Sequence, residues 1–165
     1  MQRIARFEHV SDARFAADWD DAFGAGGVPA LPALPRRATV GSAGYDFFIP
    51  CDLTLAPGET VKIPTGVRAS MQEGWVLQIF PRSGLGFKYR LQLNNTVGII
   101  DSDYYFSDNE GHILIKVTNA NTEGKTLTLK AGDAFAQGIF LPFGITEDDD
   151  VTAARNGGFG STSRK

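Results

Sequence analysis

The chain has 165 residues, a formal net charge of −3 and an isoelectric point near 5.3. A general nucleic-acid surface needs a basic footprint, so any polyanion site on this chain must be local. With 42% hydrophobic residues the chain can bury the core of one domain. No apolar run approaches the roughly 20 residues that cross a bilayer.

The first 35 residues contain one predicted helix. Alternating residues over 2–7 predict a short strand before it, and Ser11 is a suitable N-cap. An aromatic side chain then recurs every four positions, at Phe15, Trp19 and Phe23. This spacing predicts an amphipathic helix that ends at the glycines of 24–27 and packs outside a barrel or against another subunit. The proline-rich run 28–35 predicts an extended connector.

From residue 36 onward, short segments rich in β-formers alternate with turn signals such as Pro57-Gly58 and Glu73-Gly74. The predicted strands cover 45–49, 60–63, 66–69, 75–80, 97–100, 112–119, 126–129 and 134–141. Such a series predicts an all-β fold, a distorted jelly-roll barrel with one N-terminal amphipathic helix. The composition changes at residue 146, so we predict a barrel domain over 1–145 and a flexible C-terminal tail over 146–165.

Cysteine and histidine are scarce. The single cysteine, Cys51, excludes an internal disulfide and is interpreted as a small buried apolar residue. His9 and His112 lie far apart without cysteine neighbours, so a zinc site is not expected. The N-terminus lacks the basic and then apolar pattern of a signal peptide, and we predict a cytoplasmic protein.

Residues 94–105 place two carboxylates and two phenols directly after an apolar, β-branched run. If the strand continues through Asp101 and Asp103, both carboxylates point to the same face. If a tight turn starts here, they can line one small pocket with Ser102 and Tyr104. The commoner role of an isolated Asp-Ser-Asp is to close a hairpin. The sequence leaves the strand and the turn open.

Four further segments accompany this stretch. They read Gly-Ser-Ala-Gly-Tyr-Asp over 41–46, Pro-Arg-Ser-Gly-Leu-Gly over 81–86, Ala-Gly-Asp-Ala-Phe-Ala-Gln over 131–137 and Asn-Gly-Gly-Phe-Gly-Ser-Thr over 156–162. In this order, and together with the central stretch, they resemble the five motifs of the trimeric dUTP diphosphatase (dUTPase) family. The resemblance omits only roughly the first 35 residues.

The resemblance implies hydrolysis of dUTP to dUMP and pyrophosphate, which keeps uracil out of DNA and supplies dUMP for dTMP synthesis. Asp101 would be the general base that deprotonates a water attacking the α-phosphorus. Tyr104 would pack on the deoxyribose and leave no room for a 2′-hydroxyl. Asn95 and Gly98 would bind the uracil in the hairpin, whose close backbone would exclude a 5-methyl group.

A chain of low charge can bind phosphates through glycine-rich turns and a few arginines. By resemblance, three consecutive residues would bind the phosphates near the α–β bridge: Arg82, Ser83 and Gly84. The tail would supply an aromatic ring that stacks on the base and three donors to the γ-phosphate: Phe159, Gly160, Ser161 and Thr162. Arg155 would reach the same phosphate.

Two departures from the family pattern concern these regions. Most relatives carry two residues between the arginine and the Gly-Gly-Phe of the tail, whereas this chain has only Asn156. Phe106 stands where most members have a glycine, and four residues follow before Gly111. The hairpin is therefore expected to be longer than usual.

The substrate, rather than a ligand cluster, implies magnesium. Mg²⁺ keeps several waters and is commonly bound through substrate phosphates, so no protein cage is needed. The resemblance implies that Asp46 meets the waters of the metal and that Gln137 contacts the α-phosphate. It also implies a homotrimer whose active sites are shared between subunits. No nucleic-acid or membrane partner is expected.

Two other functions stay open at this point. A dCTP deaminase shares the fold but needs an acidic residue beside the base-binding hairpin, and residues 94–100 contain no glutamate. A nucleotide-sensing or partner-binding protein on the same scaffold would have no need of a positioned base such as Asp101.

Overall fold

A computed structural model describes residues 2–153 and residue 155. Its strands are β1 (Ala5–His9), β2 (Tyr45–Phe48), β3 (Leu53–Leu55), β4 (Thr60–Pro64), β5 (Val67–Met71), β6 (Trp75–Pro81), β7 (Leu91–Leu93), β8 (Gly98–Ile100), β9 (Leu114–Asn119), β10 (Leu127–Leu129) and β11 (Ala134–Pro142). Its helices are α1 (Asp12–Phe23) and α2 (Ser83–Tyr89), and a 3-10 turn covers Ser102–Phe106. The described chain is mostly β, which confirms the predicted fold class.

The strands pair in two main antiparallel sheets and two small ones. One main sheet has the order β2-β11-β6-β8 and the other has the order β4-β9-β7. In the small sheets β1 pairs with β5, and β10 pairs with β3. The consecutive strands β7 and β8 therefore lie at the edges of different sheets, a separation that becomes important at the candidate site.

Alternating side chains build the core between these sheets. Along β9, Ile115 and Val117 are buried, whereas Lys116 between them is exposed. On β6, Leu77 and Ile79 face the same core. Burying a side chain of this size stabilises the fold by about 1.5–3 kcal/mol. The described strands thus follow the inward and outward alternation that the sequence predicts.

Helix α1 lies where the aromatic spacing predicts it. The hydroxyl of Ser11 accepts a hydrogen bond from the backbone N–H of Arg14 at 3.1 Å, and the helix ends at Gly24, whose φ is +81°. Phe15 and Trp19 are buried with Val10 in a small cluster separate from the main core. The helix packs against β4, on the outside of the barrel.

The helix α2 was not predicted. From the sequence, residues 82–84 are interpreted as part of a glycine-rich turn that binds phosphates, and glycines such as Gly84 and Gly86 have low helix propensity. The chain nevertheless closes a helical turn, since the carbonyl of Arg82 accepts from the N–H groups of Leu85 at 3.1 Å and Gly86 at 2.9 Å. The short strands β3 and β7 were also missed, β1 begins three residues later than predicted, and β9 begins only at Leu114. No helix in the described part of the chain is long and apolar enough to cross a membrane.

Candidate active site

Asp101 follows the last residue of β8 and opens the 3-10 turn. Its carbonyl accepts a hydrogen bond from the N–H of Tyr104 at 3.2 Å. Of the two geometries left open by the sequence, the structure therefore adopts the turn. The side chains of Asp101 and Asp103 are 47% and 53% exposed, so both carboxylates can be reached from solvent.

Arg155 binds both of these carboxylates. Its Nη2 pairs with Asp101 Oδ2, and its Nε donates to Asp103 Oδ1 at 2.9 Å. The guanidinium carbon also lies 5.8 Å from the centroid of the Tyr104 ring. The end of the described chain thus covers the proposed general base and the ring of the proposed sugar-binding residue.

Tyr104 is buried, with 3% of its surface exposed. Its hydroxyl donates to the backbone carbonyl of His112 at 2.8 Å and accepts from Nδ2 of Asn109 at 2.8 Å. Burial raises the pKa of the phenol above its ordinary value. The hydroxyl is therefore a neutral, fixed hydrogen-bonding group, and Arg155 contacts the Tyr104 ring.

A pocket of about 320 Å³ is lined by residues of the two strand edges β7 and β8. The strands are joined by residues 94–97, and in the described part of the chain β7 is paired with β9 and β8 with β6, but not with each other. No strand ladder therefore closes the gap between these two described edges, where the pocket lies. Of the predicted site residues the pocket brings together Asn95 and Gly98, and its walls are largely apolar: Ile79, Leu93, Ile100, Ile113 and Ile115.

The connection between β7 and β8 contains a strained residue. Thr96 has a φ of +66°, a region that β-branched residues rarely adopt, and its N–H donates to the carbonyl of Leu93 at 3.0 Å. At the start of β8, a Cβ on Gly98 would lie 3.0 Å from Cβ of Ile79. The connecting hairpin therefore holds its backbone close to the pocket wall.

A second group of predicted residues lies at the C-terminal end of β6. Arg82 Nε is 3.3 Å from Asp46 Oδ1, and Gln137 stands opposite Asp46 in the register of β11 and β2. The amide of Gln137 donates to the carbonyl of Pro81 at 3.2 Å. The exposed residues Ser83 and Gly84 follow directly in the first turn of α2. The guanidinium of Arg82 thus lies beside the carboxylate of Asp46, with an exposed hydroxyl and an exposed glycine directly after it in the chain.

Within one chain, the group around Asp101 lies far from the group around Arg82. On β6, Leu77 stands opposite Ile100, so Asp101 lies beyond Leu77 towards Trp75 at the N-terminal end of the strand. Arg82 follows the opposite end. Six strand positions at about 3.3 Å each separate their levels by about 20 Å. The structure therefore brings Asp101 together with Tyr104 and Arg155, and Arg82 together with Asp46 and Gln137, but it does not join the two groups within one copy of the chain.

The remaining predicted residues, Phe159, Gly160, Ser161 and Thr162, lie outside the described part of the chain. In that part, no group of three or more His, Cys, Asp or Glu side chains could hold a metal ion. Asp46 offers a carboxylate that already pairs with Arg82. A single carboxylate of this kind fits a magnesium ion that substrate phosphates bind better than it fits a protein cage.

The sequence did not predict a role for His112 beside Tyr104. The imidazole is fully buried, and its backbone carbonyl accepts the Tyr104 hydroxyl. The available signal was a lone histidine that opens the apolar run of β9, which is typical of a satisfied core histidine.

The dUTPase family profile matches residues 32–163. The deoxyuridine 5′-triphosphate nucleotidohydrolase of Lactococcus lactis subsp. lactis (strain IL1403) is 42% identical over 132 residues, an alignment that covers 78% of this chain and 87% of the relative. Among solved structures, the dUTPase of Streptococcus mutans is 36% identical with a TM-score of 0.63, over 86% of this chain and 98% of the other.

A mutant dUTPase from phage phi11 of S. aureus shares the fold at 22% identity. Its TM-score is 0.64, and the alignment covers 92% of this chain and 98% of the other. That structure describes the coordination of a structural Mg(II) ion in the phage protein.

Proposed function

The chain belongs to the dUTPase family, and we propose that it hydrolyses dUTP to dUMP and pyrophosphate. The observation that carries this proposal is the position of Asp101. Ile100 lines the pocket between the edges of β7 and β8, and the next residue is the solvent-accessible carboxylate of Asp101. A nucleotide whose base enters the pocket would present its phosphates to a group that can accept a proton.

The pocket suits a uracil base. Uracil carries two carbonyl acceptors and one N–H donor along one edge, and backbone groups at the edges of β7 and β8 would pair with such an edge. The amide of Asn95 adds a donor and an acceptor, while Leu93 and Ile100 can pack on the ring. Because the hairpin backbone runs close to the pocket wall at Gly98, little space is left for a 5-methyl group.

The proposed reaction is attack of water on the α-phosphorus. Asp101 accepts a proton from the water, whose oxygen bonds to the α-phosphorus. The bond between this phosphorus and the α–β bridging oxygen breaks, and pyrophosphate leaves with the electron pair. Tyr104 packs against the deoxyribose during this step. A 2′-hydroxyl would then collide with the ring, which disfavours UTP.

Arg155 links the occupancy of the site to the availability of this base. In the structure its guanidinium binds the Asp101 carboxylate, which is then less available to accept a proton. A triphosphate carries more negative charge than the two carboxylates and competes for the same guanidinium. We infer that substrate binding transfers Arg155 to the γ-phosphate and leaves Asp101 free to act as the base.

The second group of residues would bind the other phosphates. Arg82, with the hydroxyl of Ser83 and the open backbone at Gly84, supplies donors to the oxygens near the α–β bridge. Gln137 would contact the α-phosphate, and Asp46 would reach a water of the metal. When bound, magnesium would supply positive charge that neutralises the triphosphate and so favours the departure of pyrophosphate.

A complete site requires more than one copy of the chain. Measured along the direction of β6, Asp101 and Arg82 of one chain lie about 20 Å apart. A triphosphate is too short to contact both residues at this separation. We therefore propose a homotrimer with cyclic symmetry, in which Asp101 of one subunit faces Arg82 of the next. Light scattering should give three times the mass of the chain, and an active monomer would contradict the shared site.

A pyrophosphate-release assay tests the proposed function. With magnesium, dUTP should be hydrolysed with a kcat/KM at least about 10²-fold above that for dTTP, UTP and dCTP. Removal of magnesium with a chelator should lower the rate. Ammonia release from dCTP would favour the deaminase instead, and tight binding of dUTP without turnover would favour a nucleotide sensor.

A further inference from the structure

Residues 5–23, which form β1 and helix α1, precede the region that matches the dUTPase family. They nevertheless contact the loop that follows Asp101 at several points. These contacts join residues about 100 positions apart in the sequence, and they use the side chains of Glu8, Ser11 and Asp18. The segment is therefore fastened to the part of the chain that carries the proposed base and the proposed sugar-binding ring.

The deepest contact joins helix α1 to His112. Nδ1 of the buried imidazole lies 2.5 Å from Asp18 Oδ2, and Nε2 lies 2.8 Å from the backbone N–H of Gly66. The N–H can only donate, so Nε2 is the acceptor and Nδ1 carries the proton that is donated to Asp18. Burial lowers the pKa of His112, which keeps the ring neutral. Asp18 thus fixes both the tautomer and the orientation of the ring.

The same histidine holds Tyr104 through its backbone. The carbonyl of His112 accepts the Tyr104 hydroxyl at 2.8 Å, and Asn109 donates to that hydroxyl at 2.8 Å. A continuous set of hydrogen bonds therefore runs from Asp18 through the ring and carbonyl of His112 to the phenol. A shift of the imidazole displaces its own backbone and, with it, the point to which the Tyr104 ring is attached.

Two further contacts fasten the part of the loop that precedes His112. The N–H and the hydroxyl of Ser11 donate to the two carboxylate oxygens of Glu110 at 2.8 and 2.6 Å. The hydroxyl of Tyr105 donates to the carboxylate of Glu8. Tyr105 and Glu110 are thus held independently of Asp18, and loss of the Asp18 contact should shift His112 without releasing the whole loop.

We propose that Asp18 is a positioning residue that, through His112, sets the place of the Tyr104 ring and thereby the discrimination between deoxyribose and ribose nucleotides. This inference rests on the proposed dUTP hydrolysis. The predicted effect falls on specificity rather than on rate, because Tyr104 acts by shape, whereas Asp101 directly follows β8, which is paired with β6. A ring that can retreat from the sugar should accept a 2′-hydroxyl more readily.

The test compares kcat/KM for dUTP and UTP in the wild type and in three variants of the full chain. Asp18→Leu (D18L) removes the acceptor and should raise the UTP/dUTP ratio about tenfold. D18N keeps an amide oxygen that can accept from Nδ1–H and should stay within about twofold of the wild type. D20L removes an exposed carboxylate from the same helix and should leave the ratio unchanged.

An unchanged ratio in folded D18L overturns the inference, as does an equal loss for both nucleotides, which would indicate a merely structural role. If D18L does not fold, Tyr104→Phe (Y104F) replaces it, because it breaks the same connection at the hydroxyl. An unchanged ratio in Y104F then overturns the inference. A wild-type protein that fails to hydrolyse dUTP would contradict the proposed function itself, a result distinct from either outcome.

Discussion

Gly111 lies where the loop after the 3-10 turn folds back, and it has no room for a side chain. Its φ is +69°, in the left-handed region that favours glycine. A Cβ at this position would lie 2.7 Å from Cα of Tyr105 and 2.8 Å from the carbonyl oxygen of Tyr104. Backbone atoms cannot rotate away as the end of a flexible side chain can. Gly111→Ala must therefore displace the turn that carries Tyr104.

Gly132 provides a matched control, because its φ is +89° and nothing lies within 4 Å of an added Cβ. At either position alanine costs about 1–2 kcal/mol of left-handed strain. Alanine also lowers the conformational entropy of the unfolded chain, which stabilises the folded state by about 0.4–1 kcal/mol. These two effects are shared by both positions. The crowding occurs only at Gly111 and adds about 1–3 kcal/mol.

Urea unfolding followed by tryptophan fluorescence measures this difference. We expect Gly132→Ala to lower the free energy of unfolding by at most about 1.5 kcal/mol and Gly111→Ala by about 1–3 kcal/mol more. Equal losses for the two variants would refute the close approach of Gly111 to the Tyr104 turn.

Two other predictions concern the site. Asp101→Asn should lower kcat for dUTP by about 10²–10⁴ with little change in dUTP binding, because a positioned general base is lost. Asp103→Asn, in the same turn, is the matched control. If turnover of the Asp101 variant stayed within about threefold of the wild type, Asp101 would not be the general base. Burial holds the pKa of His112 below its usual 6.5, although the facing Asp18 and Glu110 act in the opposite direction and Arg14 acts with burial. The unfolded chain therefore binds this proton more tightly, so the stability from the neutral ring is present above pH about 6.5 and is lost as the pH falls below it. Urea unfolding should show a stability advantage of the wild type over His112→Gln that shrinks between pH 7.5 and 5.5, by at most about 1.4 kcal/mol per pH unit, and parallel curves would contradict this.

Local signals predicted much of the fold. The cap at Ser11 and the aromatic spacing identified α1, and the recurring turn residues located most strands to within a few positions. Helix α2 was not predicted, because the glycines of 81–86 have low helix propensity. The hydrogen bonds to the Arg82 carbonyl nevertheless form its first turn. The predicted cytoplasmic location, the tail boundary at residue 146 and the magnesium dependence stay predictions.

The sequence could not predict how the site residues are distributed in space. The sequence motifs assigned Asp101 and Arg82 to the same active site. Their separation within one chain depends on the register of β6 against β8, which no local pattern encodes. The separation of β7 from β8 into different sheets is likewise a long-range outcome. The pairing of Asp18 with His112 joins residues 94 positions apart, and neither residue carries a motif that identifies the other.

The shared active site can be tested directly by mixing two inactive variants. One variant carries Asp101→Asn and retains Arg82, and the other carries Arg82→Ala and retains Asp101. After equimolar mixing and complete subunit exchange, a site works when an intact Asp101 meets an intact Arg82 from the next subunit. Random assembly gives this combination with a probability of about one half times one half, so about one quarter of the sites should recover.

The measurement is dUTP-dependent pyrophosphate release by the exchanged mixture, with the two unmixed variants as controls. If the site is shared, the mixture should show about one quarter of the wild-type activity per subunit, whereas each unmixed variant should be nearly inactive. Failure to recover activity after exchange has been verified by mass spectrometry would contradict it, because a site formed within one chain cannot be restored by a neighbour.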